Sequence, residues 1–217
     1  MEDTLAGPDR GSEHLALYAA LFVVLLSGAF LLRDNLTWTS GLTAHTVMEA
    51  VSTVLAAIIG GLALVRYYSR KQATFLLIGT GFLGAAVLNL NHALITSEAL
   101  VAALAARHPG VDGGTLFAWS WTAERVFLSL FLFVSLLAWR HELEDEDGNR
   151  AINETSVYGS AFALTLLSLL LFETIPLSSL TFPTHAVTRP LEFLPALFFL
   201  LTFLGFLGKN NWRRDVF

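Results

Sequence analysis

The sequence predicts an all-α protein, a polytopic transmembrane helical bundle of about six spans with both termini cytoplasmic. Three observations predict it. The 217-residue chain is 54% hydrophobic with only 14% charged residues, and its mean hydropathy is +0.61, outside the usual range of soluble domains. The apolar residues gather into blocks of roughly 20, the length of helix that crosses about 30 Å of hydrocarbon. The Lys and Arg residues fall mainly on alternate connections between those blocks, the asymmetry that orients membrane helices.

Taken in order, the spans are expected near 14–33, 42–67, 73–96, 115–139, 153–174 and 189–208. The leading MEDTLAGPDRGSEH is acidic and lacks the basic start and small-residue cleavage site of a signal peptide. Residues 1–13 are therefore read as a cytoplasmic tail before a retained first helix. Arg66, Arg70 and Lys71, then Arg140 and Arg150, then Lys209, Arg213 and Arg214 mark the cytoplasmic side. The opposite connections carry only Arg33 and Arg107, which places 34–41, 97–114 and 175–188 outside. Within 97–114, Ser97 can cap a short alanine-rich helix over the outer mouth, ended by Pro109 and a glycine pair. HELEDEDGNR reads as a solvated cytoplasmic loop. The bundle is expected to occupy 14–209, and NNWRRDVF (210–217) to begin a linker to an output module.

Several functions are excluded at this level. The chain has no cysteine, which removes disulfides, thiolate metal sites and cysteine nucleophiles. Its net charge is −5 and no basic patch interleaves with aromatics, so the expected partners are membrane lipids and not nucleic acid. The glycines of IIGGLAL and GTGFLG lie within spans, where small residues let helices approach closely. They are read as packing residues.

The informative residues are ionisable groups inside the spans. His45 and Glu49 stand four apart at the start of the second span, on one helical face. His92 lies near the end of the third, with Asn89 about one turn below it. The fourth carries Trp119, Trp121, Glu124 and Arg125, and the sixth is approached through His185 and opens with Arg189 and Glu192. All fall in the outer half of the membrane. Ionisable groups within spans are rare, face the bundle interior and mark sites. His45, Glu49, His92 and Glu192 supply two imidazoles and two carboxylates, a first shell for Zn, Fe, Mn or Cu(II) and a poor one for Cu(I). Asn89, Glu124 and His185 are read as further ligands or as groups orienting one. Arg125 needs a counter-charge, for which Glu49 and Glu124 are nearest by depth. Simpler readings stand beside these. Glu192 follows Pro190 and suits a helix start by its charge alone, Trp119 and Trp121 suit an interfacial belt, and Arg125 suits a structural ion pair. Bis-histidine haem ligation by His45 and His92 ranks behind a bare ion, because two carboxylates beside haem iron would be unusual.

These features, in this order, resemble the MASE group of bacterial membrane-associated sensor domains, and most of all its third type. The group has a His-x3-Glu at the start of one span, matched by His45 and Glu49. An Asp-x2-His near the end of the next is matched by Asn89 and His92, with Asn in place of the acid. A Trp-x3-Arg is matched by Trp121 and Arg125, and a Pro-x-Glu opening of a later span by Pro190 and Glu192. The likeness covers roughly residues 40–210 and rests on short motifs. It implies a sensory input domain in the bacterial inner membrane, not itself an enzyme, N-terminal to a kinase or cyclase module in cis. The substitution by Asn89 removes one anionic ligand and argues against a two-metal site.

The leading expectation is thus a sensor whose divalent ion binds His45, Glu49, His92 and Glu192 and whose last helix carries the change inward. Signalling through an exit helix implies a homodimer. The competing expectations are a metal-dependent lipid hydrolase or oxidase, with Glu49 or Glu124 as base and Arg125 as stabiliser, and a proton sensor built on His45 and His92. A transporter is disfavoured by the lack of an inverted repeat.

Overall fold

The computed structural model describes residues 42–97, 113–144, 153–174 and 190–207, together with the isolated positions 20, 23 and 27. All the long elements are helices: α1 (Leu42–Arg70), α2 (Ala73–Ile95), α3 (Gly113–Glu144), α4 (Glu154–Thr174) and α5 (Phe193–Leu207), the last preceded by a 3-10 turn at Pro190–Glu192. There is no strand among the described residues. The five helices correspond to the second through sixth expected spans, and each, the last taken with its 3-10 turn as Pro190–Leu207, is long and apolar enough to cross a membrane. The expected first span, the N-terminal tail, the outer helix after Ser97 and the 210–217 linker lie outside the described residues. The five helices belong to one compact unit, Gly41–Lys209.

α2 is the axis of that unit, packing on α1, α3 and α4, while α5 packs on α3. Burial follows this order: 61% of the spanning window of α2 is buried, against 6% for those of α1 and α4. The outward face of α1 is apolar, with Val47, Val51, Val54, Ile58 and Leu62 all exposed, the surface a helix presents to hydrocarbon rather than water.

Small residues set how closely the helices approach. A Cβ on Gly79 would lie 2.7 Å from Leu64 of α1 and 3.1 Å from the Gly60 carbonyl oxygen, and one on Gly60 would lie 3.0 Å from the Gly79 oxygen. α1 and α2 therefore cross backbone to backbone, the role expected of IIGGLAL and GTGFLG. Further along α2, Gly81 and Gly84 make room for Phe131 and Phe127 of α3. Those rings stack at 4.7 Å in a core completed by Leu77, Ala85, Leu88 and Ala161.

The end of the bundle at the α1–α2 turn is held by polar contacts that the sequence reading did not anticipate. Lys71 turns the chain in the left-handed region (φ 52), and its Nζ lies 2.9 Å from Glu154 at the start of α4. Tyr67 donates to the same carboxylate at 2.6 Å, and the Tyr68 and Tyr158 hydroxyls are 2.9 Å apart. The Gln72 N-cap of α2 makes no side-chain cap. Its place is taken by Glu142 of α3, whose carboxylate accepts from the Ala73 amide and the Thr74 hydroxyl. Losing a helix cap costs about 0.5–2 kcal/mol, so Glu142→Ala is expected to lower the unfolding temperature in detergent by several degrees. An unchanged midpoint would show that water replaces the cap at no cost.

Candidate functional site

At the opposite end of the unit, α1 and α2 bring three of the predicted residues together. His45 and Glu49 lie one turn apart on α1, their side chains 25% and 17% exposed, with Nε2 and Oε1 3.8 Å apart. His92 enters from α2 and is fully buried. The two Nε2 atoms are 3.4 Å apart, and one ligand atom from each of the three residues falls within 4.8 Å of the others. Nitrogen ligands at about 2.0–2.1 Å in tetrahedral geometry hold one another about 3.3–3.4 Å apart. The imidazole pair therefore already has the separation that a shared ion imposes.

The surroundings fix the orientation of His92. Its Nδ1 is 2.8 Å from Ser120 Oγ on α3, and that hydroxyl donates to the Leu116 carbonyl at 2.9 Å. When the hydroxyl proton is so engaged, the oxygen accepts from His92 Nδ1–H, the tautomer that leaves Nε2 as a lone pair turned toward His45. Phe117 packs against both imidazoles, with ring centroids 4.8 and 5.3 Å away, and holds them edge to face at 86°. Asn89 donates from Nδ2 to the Glu49 carbonyl at 3.0 Å and to Thr53 Oγ1 at 3.1 Å. It ties the α1 backbone to α2 beneath the cluster.

The remaining predicted residues occupy other places. The Arg125 guanidinium lies 3.4 Å over the ring of Trp121, close enough for a cation–π contact, so Trp121 supports a buried cation as well as any interfacial belt. Arg125 is within electrostatic reach of His92, and Glu124 within reach of both Arg125 and Glu49. Glu192 ends the 3-10 turn before α5, half-buried, and stands outside the three-residue group. His185 and Arg189 lie outside the described residues. Ser120, Phe117 and Thr53 were missed by sequence reading. A serine between two tryptophans carries no ionisable signal, and only its place one turn before Glu124 hinted at an inward face.

A family model described as a membrane-associated sensor domain, MASE3, matches residues 36–215. No curated protein and no solved structure matches the chain.

Proposed function

Because the chain belongs to the MASE3 family of membrane-associated sensor domains, we propose that it is the input domain of a bacterial signalling protein, and that its signal is occupancy of the His45–Glu49–His92 centre by a divalent transition metal ion. The observation that carries this reading is the 3.4 Å separation of two imidazole nitrogens from different helices, with a carboxylate beside them. Two imidazoles and one carboxylate form the donor set of open zinc sites and of non-haem iron centres. Such a set leaves a position for water or a small molecule. Glu192 is the sequence-derived fourth ligand and is retained as an alternative for that position. Haem ligation is set behind it, since Phe117 fills the space against both rings.

In this reading residues 14–33 supply a sixth span, both termini are cytoplasmic by the Lys and Arg distribution, and the centre lies toward the outer face of the inner membrane. An ion bridging α1 and α2 acts only by favouring the helix arrangement that binds it better. α3 receives that preference through Ser120. A kinase or cyclase module in cis, in a homodimer, would read it out. Membership of a sensor family supports binding over turnover.

The test is elemental analysis of protein purified without chelator. About one equivalent of zinc, iron, manganese or copper is expected, removable by chelation and restored by the same ion. Metal-free wild-type protein that still responds to pH would assign the signal to protons instead. Ser120→Ala is expected to weaken the ion about 10–100-fold, the usual cost of removing a group that orients a ligating imidazole. Isothermal titration of the chelated protein measures this directly.

A further inference from the structure

We propose that the groove between α3 and α4, at the end of the bundle near the α1–α2 turn, holds one acyl chain of a membrane lipid. α3 and α4 meet far less extensively than either meets α2, and the gap is an open groove of about 570 Å³, within the roughly 300–1,000 Å³ range of small-molecule sites. Its floor is Leu77 of α2, and its walls are Val134, Leu137 and Ala138 of α3 with Val157 of α4.

Three features select a hydrocarbon chain. First, the groove is continuous with the lipid-facing surface, because Val134 and Leu137 line it and are also exposed, 37% and 46%. A concavity open sideways on a bilayer meets acyl chains before any aqueous solute. Second, polarity is graded along it. The apolar walls lie within the spans, and His141, Asn153 and Ser156 stand where α3 nears its end and α4 begins, the level of glycerol and headgroup. Third, polar groups there are already used locally: Asn153 Oδ1 accepts from the Ser156 amide at 3.2 Å, and Ser160 donates to the Val157 carbonyl at 3.0 Å. These partnered groups suit the interface without selecting a headgroup, so recognition resides in the chain. The chain supplies the packing that α4 lacks on its α3 side, while Glu154 and Tyr158 hold its other side to α1. The inference is independent of the metal centre, which lies at the other end of α2.

The test is photolabelling in vesicles of phosphatidylethanolamine and phosphatidylglycerol that contain a trace phospholipid with a diazirine in one acyl chain. Adducts mapped by mass spectrometry are expected on 134–141 and 153–160 at several-fold the yield found on Val54–Leu62 of α1, which is at least as exposed. The yield is expected to be alike for the two headgroups and to fall several-fold in Ala138→Phe and in Ser160→Leu, with metal content unchanged. Uniform labelling of α1 and the groove would overturn the proposal in favour of ordinary annular lipid. Labelling absent from the wild-type groove, with a protein cross-link there to residues 14–33 or to a second copy, would overturn it in favour of a protein occupant. The wild-type map decides even if a filled variant fails to fold.

Discussion

Replacing His92 by alanine is expected to lower divalent-metal affinity about 10²–10³-fold. Structural zinc sites bind with roughly 10–16 kcal/mol shared over four ligands, or about 2.5–4 kcal/mol for each. His92 is fully buried and its Nδ1 is engaged by Ser120, so the imidazole is held in place as a ligand before the ion arrives. His45→Ala should weaken binding by a similar factor and Glu49→Gln by somewhat less, because a neutral amide oxygen remains at the same place. The double variant His45→Ala, His92→Ala should purify without metal. Glu192→Gln is the informative control. If the ion is held by the three clustered residues, that variant binds within a few-fold of wild type. A loss as large as that of His92→Ala would instead make Glu192 the fourth ligand. Titration of chelated protein with zinc, read by calorimetry, distinguishes the two.

The second large effect is expected at the crossing of α1 and α2. Gly79→Leu places a side chain where even a Cβ would lie 2.7 Å from Leu64 and 3.1 Å from a backbone oxygen. The leucine on α1 can shift but the carbonyl cannot, so the helices must separate. Overpacking of this kind costs about 1–3 kcal/mol, and here it also moves His45 away from His92. Gly79→Leu should therefore lose both thermal stability and metal, although it lies far from the centre. Gly61→Leu is the matched comparison: a Cβ there meets nothing within 4 Å, and removing a mid-helix glycine gains up to about 1 kcal/mol in helix propensity. It should leave metal binding intact. Equal behaviour of the two variants would show that the crossing does not depend on Gly79.

The five helices were legible in the sequence because hydrocarbon thickness and hydropathy leave little freedom, and the predicted spans match Leu42–Arg70 through Phe193–Leu207 within a few residues. The His45–Glu49–His92 cluster was legible for a related reason, since costly residues in lipid need a purpose and two of them shared a helical face. Glu192 was grouped with them by depth alone. Depth fixes the level of a residue but not its azimuth, and α5 packs on α3, whereas the clustered residues come from α1 and α2. Ser120 was illegible because a hydroxyl is cheap in a membrane helix, where it can bond back to its own backbone as Ser129 and Ser135 do. The polar contacts at the α1–α2 turn were missed because each comes from a helix end, where charge is ordinary. Their pairing is a tertiary fact: Glu142 reaches the start of α2 across 69 residues of sequence.

Two polar attachments of α3 to α2, one at each end, have a mechanical consequence. Ser120 fastens His92 at one end and Glu142 fastens Ala73 and Thr74 at the other, about 28 Å apart along the helix. A rod riveted at both ends cannot slide, so a piston stroke of α2 against α3 would have to break both attachments together. α1 is fastened differently. Its Tyr67 end is pinned to α4 through Glu154, its middle lies against α2 at Gly60 and Gly79, and its His45 end meets α2 through the imidazole contact and the Asn89 bonds. α1 is thus held at three levels, and the Gly60–Gly79 crossing is the fulcrum about which its His45 end can tilt. An ion bound as proposed would act at the end of an arm about 22 Å long, from His45 to that crossing, and would move the first turns of α1 most.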